Sequence, residues 1–218
     1  MARLYGGLLI ALLLAGCQTR PPAPVDAPST APAAGAGWRE EALPEHASRI
    51  ERISEAWSRA LGNARRAGFV RQIAAEGRLL DPAAGLPFPA PSPGSYMCRT
   101  IRFAPPRGKS RAFAAYRPFF CFVGAGEERL FLTKQTGSDR PSGYLWDSGS
   151  GRALVFLGSV PRGDAAEAGA YGQDEERDVV GLLERIGPLR FRLVIPRDVE
   201  RGAIDVLELV PAPVQNEN

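Results

Sequence analysis

The 218-residue chain carries 27 basic and 24 acidic side chains, a formal net charge of +3 with its single histidine neutral. Nearly all the bases are arginines, with Lys109 and Lys134 the only lysines, and carboxylates are interleaved with them along the chain. This pattern argues against a nucleic-acid groove, which needs a net basic face free of interspersed acids.

The amino terminus reads as an address. Met1 and the basic Arg3 precede an uncharged run, Leu8 to Leu14, which is too short to span a bilayer comfortably and ends in Leu14-Ala15-Gly16-Cys17. Residues 1–16 are therefore expected to be a signal peptide. The last four residues, Leu14 to Cys17, resemble a bacterial lipobox, which implies cleavage before Cys17 and a diacylglycerol (with palmitate-type acyl chains) on its thiol. Several acyl chains on one residue bury enough methylene groups, at roughly 0.8 kcal/mol each, for stable membrane anchoring. By resemblance to sorting in Gram-negative lipoproteins, Gln18 after the cysteine points to the outer membrane, with the folded part facing the periplasm.

Residues 17–37 are dominated by Pro, Ala, Ser, Thr and Gly and form an expected tether. At the polyproline rise of about 3.1 Å per residue it would reach up to roughly 60 Å. A helical segment, 38–82, follows. Within it Ile50, Ile53, Trp57, Leu61 and Ala64 recur at spacings of three and four while Arg49, Arg52, Glu55 and Arg59 fall elsewhere, which predicts one amphipathic helix from Pro44 to about Arg66. A second short helix is predicted from Phe69 to about Glu76, ended by Gly77 and Asp81-Pro82.

Residues 83–95 form a proline-rich connector, after which the pattern changes to short runs rich in Val, Ile, Phe, Tyr and Leu. Eight strands are predicted over 96–211: Tyr96 to Phe103, Phe113 to Val123, Arg129 to Gln135, Gly143 to Asp147, Arg152 to Val160, Val179 to Ile186, Leu189 to Pro196, and Ile204 to Val210. Tight turns such as Gly124-Ala125-Gly126 and Gly187-Pro188 separate them, so neighbours run antiparallel. The expected fold is mainly β with an α-helical preface: an antiparallel, up-and-down eight-stranded barrel or a strongly curled sheet. Residues 212–218 read as a disordered tail.

Cys98 and Cys121 fall on the first two strands, and in an oxidising compartment such neighbours are expected to be bridged. Closing a loop of about 24 residues would contribute roughly 3 kcal/mol in the chain-entropy model. A redox or metal role would need a Cys-x-x-Cys spacing or a nearby histidine, and neither exists.

Several motifs occur in a fixed order: Glu76-Gly77-Arg78-Leu79-Leu80-Asp81-Pro82, Pro93-Gly94-Ser95-Tyr96-Met97-Cys98-Arg99, Phe119-Phe120-Cys121, and Thr133 to Gly143 with its Asp139-Arg140-Pro141. Val155-Phe156-Leu157-Gly158, Tyr171 to Asp178 and Glu184-Arg185-Ile186-Gly187 complete the series. From Trp38 to Pro211 the chain resembles the proteobacterial family called domain of unknown function 4893. The resemblance implies no activity, cofactor or ligand. It leads one to expect Gln where this chain has Asp139.

Catalytic templates are mostly excluded by absence. His46 is the sole imidazole and sits on the Arg-rich helix, where it is expected to be solvated or satisfied at the surface, so a Ser-His or Cys-His pair has little support. No cofactor, metal or catalytic residue is assigned. Two candidate binding regions remain. The acidic segment Asp164 to Asp178 gathers Tyr171, Asp174, Arg177 and Asp178; clustered oxygens could hold calcium, but a solvated connector with internal ion pairs is the expectation. At the Gly187-Pro188 hairpin, Leu189, Phe191, Leu193 and Ile195 are expected to face inward. A two- or four-residue loop puts Glu184 beside Phe191, and a three-residue loop puts Arg185 there. The inward charge would need a partner, with Lys134, Arg140 and Asp178 as candidates.

The leading expectation is a non-enzymatic binding or interaction module, inhibitor-like by architecture, with an envelope protein as a possible partner. The alternative is a calycin-like carrier of a small apolar ligand, which requires an empty barrel. Phe119, Phe120, Phe122, Phe131, Trp146, Phe156 and Phe191 are large enough to fill so small a barrel, favouring the former. A carboxylate enzyme using Glu184 or Asp178 as base ranks third.

Overall fold

The computed structural model describes residues 37–105, 111–163 and 167–213. The expected leader, Cys17, the tether up to residue 36 and the tail beyond 213 lie outside the described residues. The helical preface comprises α1 (Trp38–Glu41), α2 (Pro44–Glu51), α3 (Ile53–Arg66) and α4 (Val70–Ala75), followed by a 3₁₀ turn, Gly77–Leu80. The single helix expected from Pro44 to Arg66 is interrupted at Arg52, whose φ of −94° and ψ of 16° leave the helical region.

The wall against which these helices pack accounts for the break. Ile50 of α2 joins Trp38, Phe131, Tyr144, Trp146 and Val155 on one part of the barrel. Trp57, Ala60, Leu61 and Ala64 of α3 pack on Ile101, Phe103, Val194, Ile204 and Val206 on another. A straight rod cannot press on two parts of a convex wall, so the two apolar stripes are met by two helices with a bend between them.

Nine strands follow: β1 (Gly94–Phe103), β2 (Phe113–Ala115), β3 (Phe119–Ala125), β4 (Leu130–Lys134), β5 (Ser142–Asp147), β6 (Ala153–Ser159), β7 (Asp178–Gly187), β8 (Arg190–Asp198) and β9 (Ala203–Pro211). From β3 to β9 each strand pairs antiparallel with the next, β3 also pairs with β1, and β9 returns to β1 with Cys98 opposite Leu209 and Phe103 opposite Ile204. These eight strands close a barrel, which removes the free edges an open sheet would carry. The strand expected from Phe113 to Val123 is two. Tyr116-Arg117-Pro118 separates them, and proline has no N–H to offer a ladder. β2 stays on Ile101 to Phe103 of β1 while β3 takes Gly94 to Cys98.

Side chains alternate across the wall. Cys98, Cys121, Val123, Leu132, Leu145, Phe156, Leu183, Phe191, Leu193 and Leu209 face inward and form one buried cluster. Cys98 and Cys121 are disulfide-bonded, with their Cα atoms 6.0 Å apart. Gly143 and Gly158 face each other on β5 and β6, and a Cβ on either would overlap the other strand's backbone. Of the aromatic residues expected to fill the barrel, Phe119, Phe156 and Phe191 do so, whereas Phe131 and Trp146 lie on the outer wall in the cluster shared with α1 and α2. Phe120 and Phe122 share that outer parity, and Phe120 is 46% exposed.

The hairpin between β7 and β8 corrects a register expectation. Its turn is the two-residue Pro188-Leu189, which alone would put Glu184 on Phe191's face. A bulge between Arg185 and Gly187 shifts the ladder by one, so Arg185 pairs with Phe191, and Glu184 pairs with Arg192 on the outer wall. Leu189, expected inside, is in the turn and 65% exposed.

Candidate functional site

The barrel interior is filled along most of its length but opens at one end. There the carboxyl ends of β1, β4, β6 and β8 meet the amino ends of β3, β5, β7 and β9 around a recess of about 640 Å³. Phe119, Val179, Ile195 and Leu207 provide its apolar surface. Among the described residues Tyr96, Phe156, Leu193 and Leu209 fill the barrel below the recess, where the carrier expectation required an empty interior.

One wall of the mouth is a cluster of charges. Arg102 donates to both oxygens of Asp205, at 2.7 and 2.8 Å, and Arg197 donates to Oδ2 of the same carboxylate at 2.8 Å. Asp205 is only 3% exposed, so it requires such partners. Its hydrogen bonds raise the Arg102 pKa. Asp139, the residue standing where Gln was expected, adopts φ 45° in the β4–β5 loop, and its carboxylate is 3.8 Å from Arg102.

Lys134 differs from both arginines. It shares the inward face with Cys121, its Nζ lies 4.2 Å from the centroid of the Phe119 ring, and it donates to the Ser138 carbonyl. Among the described residues it forms no salt bridge. Burial lowers its pKa; the charges of Asp139 and Asp205 oppose this, and that of Arg102 adds to it. On the other rim lie Asp178, Glu175, Glu176 and Arg49. Asp178 accepts the Gly172 N–H at 3.1 Å, and burial raises its pKa.

Beside this rim the acidic segment docks on α2. Tyr171 Oη accepts the Leu43 N–H at 3.1 Å and lies 2.7 Å from Nδ1 of His46. His46, expected to be solvated or satisfied at the surface, is satisfied by Tyr171 but is 3% exposed, because this segment covers it. Burial pushes the Tyr171 pKa up to about 12 and lowers that of His46, to which Arg49 adds while Glu45 and Glu175 oppose. A buried neutral imidazole binds its proton less readily than the unfolded chain does. Its contribution to stability is therefore complete above the unfolded histidine pKa, about 6.5, and is lost as pH falls below it. Asp178 acts with the opposite sign, because its raised pKa lets the folded state hold a proton first, but in the lower carboxylate range. The melting temperature is expected to fall between pH 7.5 and 5.5. His46→Gln should flatten that slope, and an unchanged slope in the variant would overturn the assignment.

The expected site residues therefore separate into groups. Lys134 and Asp178 line the mouth. Tyr171 buttresses His46; Asp174 is paired at 2.5 Å with Arg162, outside the segment, and Arg177 reaches the Pro161 carbonyl, so these contacts tie the segment to the end of β6 rather than pairing charges within it. Arg140 is half-buried in the β4–β5 loop. Arg185 lies at the far end, where it donates to the Pro87 carbonyl at 2.9 Å. Glu184 does not face the barrel interior and meets none of Lys134, Arg140 and Asp178. Its partner is Arg192, at 2.8 Å.

Arg192 is the residue that sequence reasoning missed. It is fully buried on the outer wall, beneath the helical preface. Beyond Glu184 it donates to the carbonyls of Leu79 at 3.0 Å, Asp81 at 2.6 Å and Pro82 at 3.3 Å, and its guanidinium carbon sits 5.2 Å from the Trp57 ring centroid. Arg102, Arg197 and Asp205 were also missed at the mouth. Alternation from Cys98 along β1 marks Arg102 as inward, so that signal was available.

No curated protein and no solved structure matches the chain. A family model does, over residues 38–209, from α1 almost to the end of β9. Sequence motifs and match agree: the chain belongs to the family described as domain of unknown function DUF4893.

Proposed function

We propose that the protein is a non-catalytic binding module of the cell envelope, tethered through an acylated Cys17 in the outer membrane, whose barrel mouth takes a small amphipathic anion. The observation carrying this reading is Lys134. An ammonium group with no salt bridge among the described residues stands over the Phe119 ring at the edge of an apolar recess. A recess of about 640 Å³ lies within the several hundred Å³ typical of small-ligand sites. The apolar body of the ligand rests on Phe119, Val179, Ile195 and Leu207, and its anionic group meets Lys134. On this wall Asp205 and Asp139 answer the two guanidinium groups of Arg102 and Arg197, which leaves the charge of Lys134 for a ligand.

The filled barrel below the recess favours this reading over an apolar-ligand carrier, because a wholly apolar molecule would gain nothing from the charged wall. Of the two bases the enzyme reading would use, Glu184 is committed to Arg192 on the outer wall, and only Asp178 stands at the recess. An envelope protein offering an acidic, apolar-flanked peptide would use the same groups.

Calorimetry with decanoate and decanol tests the ligand. Decanoate should bind, at least tenfold more weakly to Lys134→Met than to the parent, and more weakly at alkaline pH as the lysine deprotonates. Decanol binding should not respond to the substitution. Equal loss of both ligands, or no heat from decanoate, would sink the reading. For the anchor, acyl labelling should disappear in Cys17→Ala, and labelling that survives would remove it.

A further inference from the structure

The end of the barrel opposite the mouth carries a second surface. Among the described residues the two most exposed large apolar side chains are Phe88, at 82%, and Leu189, at 65%. Both line one groove of about 390 Å³ at this end, with Pro188 and Arg185 between the connector and the β7–β8 turn. Exposure of two such neighbours is unfavourable in water and marks an interaction surface.

Phe88 is held there against its backbone preference. Its φ of 56° is left-handed, where a bulky residue is strained. Hydrogen bonds fix the connector around it: Leu86 N–H to the Arg185 carbonyl at 2.8 Å, Phe88 N–H to the Gly151 carbonyl at 3.2 Å, and Arg185 to the Pro87 carbonyl. Because the ring remains in solvent, this strain yields no burial within the chain.

The charges around the groove supply the chemistry of the partner. Arg78 donates to the carbonyls of Ile186 and Ala84, Arg152 to that of Gly85, and Arg185 to that of Pro87. Each guanidinium is hydrogen-bonded to a neutral acceptor, and among the described residues none of these three positive charges is neutralised by a salt bridge. The nearby carboxylates Glu184 and Glu208 are already paired with Arg192 and with Arg99 and Arg190. Asp81 and Asp147 each accept a local backbone N–H and only partly offset the three arginines. An aromatic and a leucine tip amid net positive guanidinium groups match the boundary of an anionic bilayer, where apolar tips enter the acyl region and arginines meet phosphates. A second copy of the chain fits less well, since a symmetric pairing would bring the same arginines face to face.

We infer that this end docks on an anionic phospholipid surface, inserting Phe88 and Leu189. The inference is independent of the ligand at the mouth. It implies that the mouth faces away from the bilayer, because the two surfaces lie at opposite ends of the barrel.

Residues 18–218 retain every strand, helix and core cluster described above and lack the acylation site, so they isolate the patch. In flotation assays they should rise with vesicles of phosphatidylcholine containing phosphatidylglycerol, at least tenfold more than with phosphatidylcholine alone, and less as salt increases. Phe88→Asn with Leu189→Ser should reduce flotation at least tenfold. Asparagine tolerates the left-handed backbone, so the fold, followed by near-ultraviolet circular dichroism, should be retained. Phe120→Ser, at an exposed residue elsewhere, should float like the parent. Flotation unchanged in the double variant, or no flotation of the folded parent, would overturn the inference. So would a concentration-dependent dimer abolished by the double variant, which would assign the patch to a second copy.

Discussion

Replacing Arg192 with methionine should destabilise the protein by about 3–5 kcal/mol, the usual cost of removing one partner from a buried ion pair. Methionine fills most of the volume, so the loss is mainly electrostatic. Glu184, with its side chain 15% exposed, would be left without its cation, and the carbonyls of Leu79, Asp81 and Pro82 without their donor. Against a total stability of about 5–15 kcal/mol for a domain, such a loss is large. Urea unfolding would register it as a lower midpoint with little change in slope. Adding Glu184→Gln should recover part of the loss, because the amide needs no counter-charge, whereas the three carbonyls remain unsatisfied. A single-variant effect below about 1 kcal/mol would mean that water replaces the guanidinium, contrary to the full burial of Arg192.

The second large effect is expected from the disulfide. Substituting Cys98 and Cys121 together with alanine should cost about 3 kcal/mol through the freed loop, which for a domain of this size lowers the melting temperature by roughly 6–12 °C. The bridge joins β1 to β3 inside the barrel, and β1 is also the strand that closes the ring against β9. Cys98 pairs with Phe119, so loosening this junction also disturbs the apolar surface under Lys134. Thermal melts with and without reductant give the same comparison on the unmodified chain. Coincident melts, with reduction verified by thiol counting, would show that the bridge adds nothing to stability.

Much of the architecture follows from local pattern. The alternation in the β segments and their tight turns indicate antiparallel neighbours, and β1 and β4 to β9 fall within a few residues of the runs rich in branched and aromatic residues. The exception is the second run, where Pro118 divides one expected strand into β2 and β3. The same argument was open to the Ile50-to-Ala64 periodicity but incomplete there. The repeat specifies an apolar stripe, and only the curvature of the wall beneath it requires the bend at Arg52.

The mouth was only partly legible, for a geometric reason. Arg102, Lys134, Arg197 and Asp205 come from β1, β4, β8 and β9, and only barrel closure makes neighbours of the first and last. Turn length alone sets Glu184 on the inner face, which makes Lys134 a candidate partner for it. The bulge at the end of β7 moved Glu184 to the outer wall and left Lys134 free of it.

By itself the amino-acid order determined the helical preface, the antiparallel strands, the pairing of two cysteines and membership of the family. These depend on periodicity, turn chemistry and residues close in the chain. Tertiary structure alone decided which faces are covered. Alternation sends Arg192 to the outside of the sheet, but whether the outside is solvent or the underside of a helical layer depends on where distant segments dock, and that docking turned an apparent surface arginine into a buried one.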